Sequence, residues 1–211
     1  VKFNRVTEPI HEIVTLNDYR KRHAQYKSDP DLQLLHRSKP MIAVWDDHEF
    51  TNDSWKYGAE NHQTEEGFFL SRKSNAIKAY LEWMPMRENK SKLKIWRKFE
   101  VGSLFQLLMI DTRSIYRDRQ LNIDDYFDND QIDETKYIKD LSIDRKLIGI
   151  EQLLWLKNNI NNKFKWSILG QQVLISNVNL PSIFRKMDKE TLPEYLHKYL
   201  KLGGLKIPYN T

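Results

Sequence analysis

Residues 44–49 read Val44-Trp45-Asp46-Asp47-His48-Glu49, with Asn52 and Asp53 a few positions on. The apolar run of residues 40–44 predicts a short buried strand directly before this polar cluster. Burying such a cluster is costly unless a cation or a phosphate neutralises it. In open α/β sheets, ligand sites form at the carboxyl ends of strands, which is where the cluster falls. The strand and the neighbouring Trp45 favour a site over the alternative, an acidic surface turn with a capping Asp.

The side chains of the cluster suit two kinds of chemistry. The Asp47 carboxylate and the Asn52 amide offer oxygen atoms that hard cations prefer. His48 can bind a metal, donate a proton or donate a hydrogen bond to a phosphate oxygen.

A second polar group, Asp111-Thr112-Arg113, ends another apolar run, over residues 104–112. Arg113 can bind a phosphate through two parallel hydrogen bonds. A structural Asp–Arg pair that holds a loop is an equally good interpretation. Residues 170–172 (Gly-Gln-Gln) interrupt a third apolar stretch, which favours a strand bulge over a site.

Buried strands that alternate with helices predict an α/β layered domain spanning residues 1–211. Several Trp residues, among them Trp166, are expected in its core. Residues 117–148 show little periodicity and predict a long surface excursion. Helices are predicted over residues 16–27, 31–37, 67–84, 149–162 and about 193–201, with Thr15 as the N-cap of the first and a turn at 203–204 after the last. Strands are predicted over residues 40–44, 94–101, 104–112 and 166–178, and the second and third of these form a hairpin.

Composition excludes several classes of protein. The 211 residues suffice for one domain, and the net charge of +5 is spread without a basic block, which gives no nucleic-acid-binding signal but suits an anionic substrate. There are no cysteines, hence no disulfides and no thiolate metal site. No apolar run is long enough to span a membrane. Nucleotide-binding and serine-hydrolase motifs are absent from the sequence.

Several motifs occur in one order and together resemble the central part of PhoD-like alkaline phosphatases. They cover most of residues 10–178: LNDYR at 16–20, DPDLQ at 29–33, DDHE at 46–49, LMIDTR at 108–113, EQ at 151–152 and LGQQ at 169–172. The resemblance implies a metallophosphoesterase-like fold of layered sheet and helices, incomplete in this chain. It also implies metal-dependent hydrolysis of small phosphate mono- or diesters, with iron(III) and calcium as metals, other divalent metals being possible. A periplasmic or secreted location is suggested by the family alone.

The resemblance also assigns roles to residues. Asp47 and Asn52 match metal ligands, and His48 matches a catalytic histidine. Supporting roles, in which a side chain orients the ligands or holds the site in shape, are expected for Asp46, Glu49 and Arg113. The sequence leaves metal identity, ester preference and oligomeric state open.

The family's upstream Cys and G-D-x-x-Y segment, and its downstream His and Asp segments, do not occur here. The chain is therefore interpreted as an internal fragment, the central part of a single domain, and is expected to be inactive alone. The alternatives are a degenerate homologue with weak cation or phosphate binding, or a non-enzymatic α/β interaction scaffold.

Overall fold

A computed structural model describes residues 6–87, 93–128, 131–175, 177–179, 186–188, 190 and 206–208. The chain forms two compact units, the first made of Val1–Asp118 with Lys146–Gln172 and the second of Arg119–Arg145 with Val173–Thr211. The described residues include five α-helices: α1 Leu16–Lys27, α2 Pro30–Ser38, α3 Phe69–Trp83, α4 Glu134–Leu141 and α5 Gly149–Asn159. Each of them is too short or too polar to cross a bilayer.

Local signals fix where the helices begin. The Thr15 hydroxyl accepts the N–H of Asp18, whose carboxylate accepts the N–H of Thr15 in return, so α1 starts with a capping box, as predicted. The Asp29 carboxylate caps α2, which has Pro30 at its first position. Helix α3 begins two residues after Gly67, whose φ of +84° lies outside the helical region.

The first unit contains a three-stranded sheet in the order β1-β2-β5, with β1 Arg97–Val101, β2 Phe105–Met109 and β5 Trp166–Gly170. Strands β1 and β2 form the predicted antiparallel hairpin, and β5 runs parallel to β2. This mixture of helices and sheet confirms the α/β class.

Strand β5 is the most open part of this sheet. Four of its five residues are exposed, and Trp166 keeps 61% of its surface accessible, so the prediction of Trp166 as a core residue is wrong. The predicted bulge is also wrong, because the strand ends at Gly170. A Cβ atom there would lie 2.4 Å from the Met109 sulfur, so a larger residue at this position would require the Met109 side chain to move.

The core of the first unit lies between α1, α3 and the segment that follows residue 44. Trp45 is fully buried, and its ring makes edge-on contacts with Phe50 at 5.3 Å and Tyr80 at 5.5 Å. The Tyr19 hydroxyl donates to the Phe50 carbonyl at 2.6 Å. Aromatic burial of this kind is a large source of stability, and here it fixes the backbone on both sides of the acidic cluster.

The strand predicted over residues 40–44 is wrong. The segment has no strand partner among the described residues, and Met41 and Ile42 are exposed. Side chains satisfy its carbonyls instead: the Arg97 guanidinium donates to Ala43, and the Gln172 amide donates to Trp45 at 2.7 Å. The apolar run is therefore held by side-chain donors, which a periodicity argument does not see.

The excursion predicted over residues 117–148 is more ordered than expected. It contains α4 and a short antiparallel pair, β3 Phe127–Asp128 and β4 Gln131–Ile132, all in the second unit. Asp133 caps α4, and the Tyr126 hydroxyl donates to Asp140 at 2.9 Å. These elements are too short for a periodic signal, which explains the error.

The second unit also contains the antiparallel pair β6 Asn177–Asn179 and β7 Lys206–Pro208. The helix predicted around 193–201 and the turn at 203–204 lie outside the described residues. The single domain predicted for residues 1–211 stays a prediction.

Candidate active site

Residues 45–53, called here the site loop, fold back on themselves so that three carboxylates face one cation. The Asp47 carbonyl accepts the N–H groups of Phe50 and Thr51 at 2.8 Å each, which closes a tight turn. The Asp47 carboxylate then accepts the N–H of Asp53 at 2.7 Å. Asp53 adopts a left-handed φ of +48°, a conformation that Asp tolerates better than most residues.

Arg113 is the cation that the three carboxylates face. Its guanidinium lies 2.6 Å from Asp46, 3.2 Å from Asp53 and 3.6 Å from Asp47. Burial lowers the pKa of Arg113, but the hydrogen bond that Arg113 donates to Asp46 and the three nearby carboxylate charges outweigh burial, so the pKa is raised. The guanidinium is therefore engaged with carboxylates of the site loop, which favours the structural interpretation of this arginine, although its partners are not Asp111.

The charge of Asp47 is stabilised by the same arrangement. Burial raises the pKa of Asp47, but the N–H of Asp53 and the charge of Arg113 together outweigh burial and lower it. Asp47 therefore stays ionised although it is buried, and the ionised carboxylate is the form that binds a metal.

Asp46 and Glu49 shape the site loop through its backbone. A Glu49 oxygen accepts the N–H of Asp46 at 2.8 Å, and an Asp46 oxygen accepts the N–H of Asp47 at 2.9 Å. Burial raises the pKa of Glu49. Both carboxylates therefore orient the turn that presents Asp47 and His48.

His48 stands at the open rim of the loop, with 77% of its side chain exposed. Its Nε2 lies 2.8 Å from Oδ1 of Asn52, and the Asn52 amide donates to Glu60 at 2.5 Å. Because Oδ1 of an amide only accepts, the proton of the imidazole sits on Nε2 in this arrangement. The bonds from His48 to Asn52 and from Asn52 to Glu60 together orient the His48 ring. Nδ1 of the ring takes no part in them.

The second acidic segment, residues 111–117, is called here the Asp111 loop, and it is built differently. The Asp111 carboxylate is 1% exposed and accepts the N–H groups of Arg113, Ser114 and Ile115 at 2.9–3.2 Å. Burial raises the pKa of Asp111, and the N–H donors oppose that effect without cancelling it. The Gln152 amide pairs with both the N–H and the carbonyl of Asp111 at 2.7 and 2.8 Å. Asp111 is therefore a structural carboxylate.

Gln172 joins the two loops. Its amide oxygen accepts from the Thr112 N–H at 2.9 Å and from the Thr112 hydroxyl at 2.5 Å. Its amide nitrogen donates to the Trp45 carbonyl at 2.7 Å. One side chain at the end of β5 thus sets the spacing between the start of the site loop and the Asp111 loop.

Sequence reasoning placed the site-loop residues but missed four that support them: Lys73, Glu60, Gln152 and Gln172. The two glutamines fall inside motifs of the family resemblance, which gave no role to either. Lys73 had a detectable signal, since it lies four residues after Phe69 and four before Ile77, in the apolar stripe of α3.

The described residues include the types of side chain that bind metal ions, but too few of them are grouped together to hold one. Carboxylate, amide oxygen and imidazole donors all lie on the site loop and suit a hard cation. However, no group of three or more His, Asp or Glu side chains within the described ranges is arranged to hold an ion. The described residues therefore offer oxygen and nitrogen donors on the site loop without a complete set for an ion.

Comparison with known proteins places these features in a family. A family model described as PhoD-like phosphatase matches residues 2–199. Alkaline phosphatase D of Bacillus subtilis (strain 168) is 38% identical over 173 residues, which cover 80% of this chain and 28% of that protein. A solved structure described as "Structure of PhoD" superposes with a TM-score of 0.66 at 35% identity, over 82% of this chain and 32% of the other. The chain thus spans about three-tenths of the relatives it matches, and the match confirms a metallophosphoesterase-like fold.

Proposed function

The chain belongs to the PhoD-like phosphatase family, and from that premise we propose that the protein hydrolyses phosphate esters with the site loop as part of its active site. The observation that carries the proposal is the presentation of His48 at an open rim beside the Asp47 carboxylate, at 4.0 Å. An exposed acid–base group can transfer a proton to the leaving oxygen of a phosphate ester, and an ionised carboxylate beside it can bind a cation. The name of the Bacillus relative supports the same chemistry.

We assign the proton chemistry to His48. Asn52 and Glu60 hold its ring through Nε2, so that in the doubly protonated form of the ring Nδ1–H can donate a proton to the leaving oxygen or a hydrogen bond to the phosphoryl group. Asp46, Glu49 and Arg113 keep the loop in shape. The substrates are small phosphate mono- or diesters, and the family suggests a periplasmic or secreted location.

Metal dependence is part of the proposal. Asp47 and Asn52 offer oxygen atoms for iron(III) or calcium, with other divalent metals possible, and the remaining ligands come from outside the described residues. A bound metal would polarise the phosphoryl oxygen and lower the pKa of a bound water.

A second candidate function is weak cation or phosphate binding without turnover. The incomplete set of donors among the described residues favours it for the 211-residue chain on its own. The two candidates differ in one observable, because only the first gives hydrolysis of p-nitrophenyl phosphate or its bis-ester.

The test compares Asp47→Asn and His48→Ala in the intact protein by metal analysis and steady-state kinetics. Loss of Asp47 removes a charged ligand and should lower both metal content and rate. Loss of His48 should lower the rate by about 10²-fold with metal retained. His11→Ala, another exposed histidine, is the matched control and should behave as wild type.

Two outcomes would overturn parts of this proposal. Equal metal loss in both variants would make His48 a ligand. Full activity after long incubation with excess chelator would exclude the metal-dependent mechanism.

A further inference from the structure

Lys73 is a buried cation in the middle of α3. Only 8% of its surface is accessible, although it stands among apolar residues of that helix. Its ammonium donates to the Ser114 carbonyl at 2.5 Å and to the Lys56 carbonyl at 3.2 Å. No carboxylate lies within ion-pair distance of it among the described residues.

This placement is costly for a lysine. Burial lowers the pKa of Lys73 to about 8; the nearby charge of Asp111 opposes that shift and the charge of Lys56 adds to it. A buried ammonium is tolerated only where its hydrogen bonds are satisfied, and here backbone carbonyls of two different loops satisfy it. An apolar side chain at this position of α3 would avoid the free-energy cost of burying an ammonium group. The contribution of the ammonium therefore lies in its hydrogen bonds to the two carbonyls.

Those carbonyls belong to the two segments that meet at the site. Ser114 directly follows Arg113 in the Asp111 loop. Lys56 lies just after the site loop, and its N–H donates to the Arg117 carbonyl at 2.8 Å. Lys73 therefore fastens the main chains of the two segments on one side, while Arg113 joins their side chains on the other.

We propose that Lys73 is a positioning residue of the active site, which acts by holding the Ser114 and Lys56 carbonyls so that the Arg113 guanidinium spans Asp46, Asp47 and Asp53. The effect on catalysis rests on the proposed function; the effect on Arg113 does not. Arg113 in turn sets the place of the Asp47 carboxylate beside His48.

The experiment replaces Lys73 by Met, with Lys78→Met as matched control, since Lys78 lies on the same helix but is exposed. The activity-independent readout is the Arg113 Nε–H signal in the NMR spectrum of the ¹⁵N-labelled chain, assigned by its loss in Arg113→Lys. That N–H donates to Asp46 at 2.6 Å, so its chemical shift reports the bond. Lys73→Met should shift and broaden the signal, and Lys78→Met should leave it as in wild type.

Kinetics supplies the second readout. Lys73→Met should lower kcat by about ten- to a hundredfold, as small misplacements in active sites do, with a smaller change in KM. Lys73→Gln keeps an N–H donor without the charge and should fall between wild type and Lys73→Met in both readouts. It also serves if Lys73→Met does not fold.

The outcomes separate the two proposals. If Lys73→Gln and Lys73→Met both leave the Arg113 signal unchanged, Lys73 only fills space and the positioning role is excluded. If the intact wild-type protein shows no turnover but the Arg113 signal moves as expected, the proposed function fails and the positioning of Arg113 stands.

Discussion

The site loop and the Asp111 loop look alike in sequence, since each places Asp residues after an apolar run, yet they differ in what surrounds the carboxylates. Asp111 is saturated by three backbone N–H groups and has almost no exposure. The side chain of Asp46 is 47% exposed, whereas Asp47 is buried, accepts the N–H of Asp53 and faces the Arg113 guanidinium. A carboxylate whose acceptor sites are filled by its own backbone builds structure, and one whose sites remain open is available for chemistry.

The two loops are nevertheless connected to each other by side chains. Gln172, Lys73 and Arg113 each bind both loops or residues beside them, through different groups. The Asp111 loop thus serves as the fixed side against which the site loop is held. Changes in the Asp111 loop should therefore cost mainly stability, and changes at the more accessible Asp46 and His48 of the site loop mainly activity.

The sharpest test of this difference is Asp111→Asn. The amide keeps the shape but turns an N–H group toward one of the backbone donors and removes the negative charge that faces Lys73. We expect the free energy of unfolding to fall by about 3 kcal/mol, measured by urea unfolding monitored by circular dichroism. Asp46→Asn should cost less than about 1 kcal/mol because Asp46 is half exposed. Equal losses in the two variants would remove the distinction between the loops.

A smaller effect is expected where the loops are joined. Gln172→Leu removes the acceptor of two Thr112 donors and the donor to the Trp45 carbonyl, and should cost about 2 kcal/mol of unfolding free energy. Thr112→Val removes the hydrogen bonds of the hydroxyl but keeps the Thr112 N–H and the bond to Trp45, and should cost about 1 kcal/mol. Urea unfolding of both variants checks the order. A Thr112→Val loss as large as that of Gln172→Leu would mean that the bonds of Gln172 to the Thr112 N–H and to Trp45 add no stability.

The smallest effect concerns acid stability within the site loop. The folded pKa of Asp47 lies below its ordinary value of 3.8. Its contribution to stability is therefore present above about pH 3.8 and is lost as the pH falls through the folded value. Asp47→Asn should flatten the decline of unfolding free energy in that acid range, as followed by urea unfolding at a series of pH values.

Glu49→Gln is the counterpart with the opposite sign. The pKa of Glu49 is raised above its ordinary value of 4.5, so in wild type this group favours the folded state more at low pH than at neutral pH. Its replacement should steepen the acid decline instead of flattening it. The same slope in both variants would show that the two carboxylates do not differ in environment.

The predictable parts of this molecule were those written in short stretches of sequence. The Thr15 cap of α1, the β1–β2 hairpin and the polar cluster of the site loop each depend on residues a few positions apart. The loop's role came from ordered motifs that resemble a family, which periodicity alone would not have supplied.

What escaped prediction depends on contacts across the chain. The bond between Gln172 and Trp45 joins residues 127 positions apart, and the bond from Arg97 to the Ala43 carbonyl joins residues 54 positions apart. Lys73 was overlooked because a single cation in an apolar helix stripe is easily attributed to an imperfect pattern. The role of Lys73 depends on hydrogen bonds to two backbone carbonyls in segments that are distant from it in sequence.

The open side of β5 has a consequence for how the protein behaves in solution. Among the described strands, only β2 pairs with β5, and the accessible surface of β5 includes Trp166 and Ile168. Such an edge invites strand addition by a second chain, while the net charge of +5 keeps copies apart by repulsion. Because salt screens that repulsion over about 10 Å at 0.1 M, dilute, low-ionic-strength buffers favour a dispersed protein, and raising the salt moves the balance toward self-association.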